Sequence, residues 1–104
     1  MAAILTIHVE NQLHERVRTI VEPPGEPFLR FCRKAAGFGV RYTDFIWAYA
    51  DSTLNFFQLA AWLEDFPEAL LRGDFGEDEC RSALRVLKAA REAHDLDGYL
   101  LFEG

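Results

Sequence analysis

Proline and glycine cut this chain into short pieces, and the apolar period changes from one piece to the next. Pro23-Pro24-Gly25, Gly37-Phe38-Gly39, Gly73 to Gly76 and Asp97-Gly98 are the cuts. Such punctuation excludes a long coiled coil or a repeat array and asks for short elements of both kinds. Residues 4–10 alternate, with Leu5, Ile7 and Val9 on one side and Thr6, His8 and Glu10 on the other, which predicts a half-buried strand. Residues 16–22 are β-branched and alternate through Val17, Thr19 and Val21, so with Asn11 to Glu15 as the loop the pair reads as a hairpin. A helix from Asn11 through Leu13, Val17, Ile20 and Val21 fits the same residues. The loss of rotamer freedom by β-branched side chains in a helix favours the hairpin.

After the Pro-Pro-Gly break the period becomes helical. Pro27 suits a first turn, Phe28, Phe31, Cys32 and Ala35 form a stripe, and Gly37 ends it. Val40 to Ala50 alternates through Phe45, Trp47 and Tyr49 and predicts a strand, with a short helix as the alternative. Asp51-Ser52-Thr53 offers N-caps for a helix over 54–65 that buries Phe57, Ala60, Ala61 and Leu63. Pro67 then restarts a short helix over 68–72. Glu77, Asp78 and Glu79 suit the positive end of a helix over 77–93, with Cys80, Ala83, Leu84, Leu87 and Ala90 on its inner face. Tyr99 to Phe102 is a last strand. The expected architecture is α+β: one small domain over 1–104. Its antiparallel sheet has three to four strands (N-terminal hairpin, central strand, C-terminal strand), with helices packed on one face.

At 104 residues, with 50% hydrophobic and 13% aromatic content, the chain can build a core without disulfide or metal staples. Eleven Lys and Arg against 17 Asp and Glu give a net charge of −6. That balance argues against nucleic acid and against an anionic membrane surface, both of which need clustered cations. Cys32 and Cys80 lack a paired spacing and read as buried, reduced thiols of a cytoplasmic protein. The N-terminus lacks the basic start of a signal peptide, and the apolar stretch 45–63 is interrupted by Asp51, Asn55 and Gln58, so no membrane span is expected.

No motif reaches catalytic specificity. His8, His14 and His94 lack metal-ligand spacing and each has a structural place, on a strand, in a loop and at a helix end. His94 to Gly98 starts like a calcium loop but lacks the later ligands, and Gly37-x-Gly39 lacks the third glycine of a dinucleotide loop. Asp74-Phe75-Gly76 has none of the other parts of a kinase, and Ser52 and Ser82 have no nucleophile-elbow context. Asp44 and Asp51 are a carboxylate pair only if the fold brings them together. No catalytic residue, cofactor or metal is assigned.

One distribution stands out. Glu64, Asp65, Glu68, Asp74, Glu77, Asp78 and Glu79 face Arg72 alone within residues 64–79, so this segment carries as large an excess as the whole chain, −6. A focus of that kind steers a basic partner, and Trp62 and Phe66 are the candidate aromatic anchors beside it. Helix-end stabilisation and solubility account for the same carboxylates without a partner. The expected function is a non-enzymatic bacterial binding module for a basic protein, in its most concrete form an immunity protein or antitoxin that masks a nuclease toxin. The rivals are a small enzyme or anion-binding domain using Arg16, Arg18 or Arg41, and a structural homodimer joined through the Phe45–Tyr49 segment.

Overall fold

The computed structural model describes residues 5–43, 46 and 51–104. The chain runs β1 (Thr6–Glu10), β2 (Arg16–Val21), α1 (Pro27–Ala36), β3 (Ser52–Leu54), α2 (Phe56–Arg72), α3 (Glu77–Asp95) and β4 (Tyr99–Glu103). The four strands form one antiparallel sheet in the order β2-β1-β4-β3. This is the expected α+β arrangement, with the N-terminal hairpin in place of the alternative helix over 11–22.

Local chemistry explains the hairpin. The Asn11 carboxamide oxygen accepts the Leu13 and Glu15 backbone N–H groups at 2.9 and 3.0 Å, and His14 takes the left-handed conformation (φ 61°) that completes the loop. Val9 pairs with Arg18 but Glu10 pairs with Arg16, so Val17 is the extra residue of a β-bulge.

The helices lie on one face. Glu92 on α3 meets Arg18 of β2, and Arg85 on α3 meets Glu22 just beyond it, so α3 covers the β1–β2 side. α2 covers β4 and β3, while α1 packs on the N-terminal part of α3 and touches α2. Between the layers, Phe28 stacks on Phe102 at 5.9 Å, Trp62 meets Phe66 edge-on at 4.8 Å, and Phe31 contacts Phe66 and Phe75. At the far end, Gly98 passes so close to β1 that a Cβ there would lie 1.9 Å from the Glu10 carbonyl oxygen, which only glycine avoids.

Four expectations on elements are corrected. Of the Val40–Ala50 strand, residues 40–43 form a turn, while Phe45, Trp47 and Tyr49 lie outside the described residues; the third strand is Ser52–Leu54. Those residues are therefore strand and not cap. The cap of α2 is Asn55, whose side chain accepts the Gln58 N–H at 3.0 Å while Gln58 Oε1 accepts the Asn55 N–H at 2.9 Å. Pro67 does not restart a helix: α2 continues through it, because packing of the buried Phe66 and Ala69 on either side offsets the lost Pro67 N–H and the crowding of its ring against the Leu63 carbonyl. Phe57 and Leu84 are exposed, whereas Leu59 and Val86 take the inner positions.

Among the described residues no helix lies over the second face of the sheet. His8 and Glu10 project there as the alternation predicted, yet both are buried, because neighbours lean across them. His8 Nδ1 lies 2.9 Å from Thr19 Oγ1 and Nε2 lies 3.4 Å from Glu103 Oε1. His14 Nδ1 is 3.0 Å from Glu10 Oε1, and its ring stacks on Tyr99 at 4.0 Å.

Candidate partner-binding face

The structure sorts the acidic segment into three groups. Trp62 and Phe66 are fully buried in the aromatic core. They are core residues and not surface anchors: on α2 they share the inner stripe with Leu59 and Ala69, at i, i+3, i+7 and i+10 from Leu59.

Glu79 is also withdrawn from the surface. Its buried carboxylate accepts Lys34 Nζ at 2.6 Å, Arg30 Nη1 at 3.0 Å and the Gly76 backbone N–H at 2.8 Å. The Lys34 bond, with the Gly76 N–H second, holds its carboxyl below the usual carboxylate range. Asp78 pairs with the same Arg30 and is lowered chiefly by that bond. Asp65 accepts Arg41 Nε at 2.7 Å and the Arg41 backbone N–H at 3.1 Å, which lowers it too. These three carboxylates tie α1 and the 40–43 turn to the long helices. The sequence could not show this, because each cation comes from a distant segment.

Glu64, Glu68, Asp74 and Glu77 remain exposed. Glu64 touches Arg41 at 3.3 Å, Glu68 touches Arg72 at 2.6 Å and Glu77 touches Arg81 at 3.5 Å, all in open solvent where such pairs are weak and exchange readily. Two of the four lie on a helical stripe the sequence reading missed. Phe57, Ala61, Glu64, Glu68 and Leu71 follow at i, i+4, i+7, i+11 and i+14 on the outward side of α2. Phe57 is 81% exposed and Leu71 is 88% exposed. At 1.5 Å per residue they stand about 21 Å apart, with the two glutamates between them. The signal was present in the sequence as two apolar residues on the polar side of an otherwise regular amphipathic helix.

The arginines proposed for anion recognition are already engaged. Arg16 faces Glu10 and Glu103, Arg18 is held by Glu92, and Arg41 by Asp65 and Glu64. Asp51 accepts the Gly104 N–H at 3.2 Å, and Asp44 lies outside the described residues. Among the described residues no three His, Cys, Asp or Glu side chains converge as a metal set, and no helix is long and apolar enough to cross a membrane. Cys32 is buried, and that burial pushes its thiol up; Cys80, expected to be buried with it, is partly exposed. The chain matches no family model, no curated protein and no solved structure.

Proposed function

We propose that this chain is a non-enzymatic protein-binding module that presents the outward face of α2 to a basic partner. The observation that carries the reading is the pair Phe57 and Leu71, large apolar side chains left in water at both ends of one helix face with Glu64 and Glu68 between them. Apolar anchors of this kind supply affinity by burial, and the glutamates supply orientation and association rate. The net charge of −6 favours a cationic partner at longer range. In its most specific form the module is a bacterial cytoplasmic immunity protein or antitoxin acting on a basic toxin such as a nuclease.

The test compares the natural chain with two folded variants against a basic protein encoded beside it. Phe57→Ser with Leu71→Ser is expected to raise Kd by roughly 100-fold, mainly through faster dissociation. Glu64→Lys with Glu68→Lys is expected to slow association and to flatten its salt dependence. Binding unchanged by both pairs, with melting preserved, would remove α2 as the docking face.

A further inference from the structure

α2 and α3 form a helical hairpin. Residues 73–76 join them, and Phe56 at the start of α2 stacks on His94 at the end of α3 at 4.6 Å, so the two run antiparallel. That contact fixes their axial register. Ten residues on from it along each helix, Leu84 comes level with Phe66, between Glu64 and Glu68. By the same count Lys88 lies about 3 Å along the axis from the level of Glu64, and Arg81 about 1.5 Å from that of Glu68.

The outer faces of the two helices carry opposite charge. α2 presents Phe57, Glu64, Glu68 and Leu71, and α3 presents Arg81, Leu84, Lys88 and Arg91 at i, i+3, i+7 and i+10. Both look away from the sheet, because Leu59, Trp62 and Phe66 on one helix and Ala83, Val86 and Ala90 on the other are buried on the opposite side. Leu84 is 56% exposed amid the cations. Among the described residues Lys88 and Arg91 have no carboxylate partner, and Arg81 holds only its open pair to Glu77. A chain of net charge −6 thus keeps a basic strip beside its acidic one.

The two strips complement one another between copies. A two-fold axis parallel to the helices leaves every axial level unchanged and lays α2 of each copy on α3 of the other, twice. Glu64 and Glu68 then meet Lys88 and Arg81 of the second copy with Leu84 between them, giving up only weak solvent-exposed pairs to Arg41 and Arg72. Phe57 meets Arg91, about 3 Å from it along the axis, as an arginine over a ring. The two-fold perpendicular to the helices sets glutamate against glutamate and cation against cation, so the charges select the first arrangement. The charge of −6 on each copy opposes the approach, yet at physiological salt it is screened over about 8 Å, and the pairs in contact are not.

We infer that a second copy of the chain closes this helical face, α2 on α3 and α3 on α2, as an isologous four-helix contact. The inference rests on the outer side of α2 being the docking face, and it supplies that face's regulation: a basic partner has to displace the second copy. The strips are small beside a standard interface, so the dimer is weak and forms on concentration.

Sedimentation equilibrium at physiological salt tests the pairing. The natural chain is expected to dimerise reversibly. Lys88→Glu with Arg91→Glu and, separately, Glu64→Lys with Glu68→Lys are each expected to raise the dimer Kd by roughly tenfold or more. The first pair moves the net charge from −6 to −10 and the second from −6 to −2, so general repulsion would give opposite effects where pairing gives the same one. All four changes together exchange the strips and are expected to restore the dimer. Leu84→Ser weakens it without touching charge, which keeps the test open if a reversed pair melts early. A monomer up to about 1 mM, or a dimer indifferent to all four charges, overturns the closure. The docking reading is judged apart from it: Lys88→Glu with Arg91→Glu leaves the α2 face intact, so a basic partner should bind this variant at least as tightly as the natural chain.

Discussion

Glu79 sits in the first turn of α3, buried, with three donors aimed at its carboxylate. Replacing it with Gln keeps the shape and removes the charge. Glu79→Gln is expected to cost about 1–3 kcal/mol at neutral pH, in line with hydrogen bonds to a charged group. The pH dependence has a fixed sign. The folded-state pKa is lowered, so the stability from this carboxylate is present above its unfolded value and is lost as pH falls toward the folded one. The difference between the two proteins should therefore be full at pH 7 and shrink below the ordinary carboxylate range. Melting of both chains from neutral to acid pH measures it, and a gap that widens on acidification would contradict the assignment. In the sequence Glu77, Asp78 and Glu79 look equivalent, three acids at a positive helix end. What separates them is α1, whose Arg30 and Lys34 arrive from a remote part of the chain. Periodicity within a segment carries no record of that approach.

Helix α3 shows how one wrong residue shifts a face. Leu84 and Leu87 are three apart, and either can anchor an apolar stripe with Ala83 and Ala90. The structure selects Ala83, Val86, Leu87 and Ala90, and leaves Leu84 56% exposed. Leu87→Ala is thus expected to cost about 2–5 kcal/mol, and Leu84→Ala no more than about 0.5 kcal/mol. Chemical denaturation of the two variants separates them, and equal losses would place the helix in a different rotation. The elements themselves were legible: β1, β2, α1, the body of α3 and β4 follow from alternation, helical spacing and the Pro and Gly breaks. α2 was legible only in part. Its inner stripe of Leu59, Trp62, Phe66 and Ala69 spans the proline, and packing along that stripe outweighs the local signal to stop. The same error hid the candidate face, since Phe57 was assigned inward and Trp62 and Phe66 outward.

For the molecule as a whole, the strand pairings other than the N-terminal hairpin lay beyond the sequence. Alternation marks a strand but not its neighbour, and nothing in Tyr99–Glu103 says that it lies between β1 and β3. That position makes β4 indispensable. It pairs Thr6 through Glu10 on one side and Ser52 through Leu54 on the other, and it contributes the buried Leu100 and Phe102. A chain lacking residues 99–104 is expected to show no cooperative melting by calorimetry, whereas retention of a sharp transition would mean that the helices and the hairpin suffice. Glu10 and Tyr99 pair across roughly ninety residues of intervening chain, so the central ladder closes against a larger loop entropy than the hairpin does. During synthesis at about 5–20 residues per second, β1 leaves the ribosome on the order of ten seconds before β4 exists. Over that interval the hairpin offers two bare edges instead of one, and its apolar side has no helix to cover it. Such a hairpin is open to strand-to-strand association, and a chaperone that recognises unpaired strands would find its substrate in residues 6–21, well before a folded molecule is available.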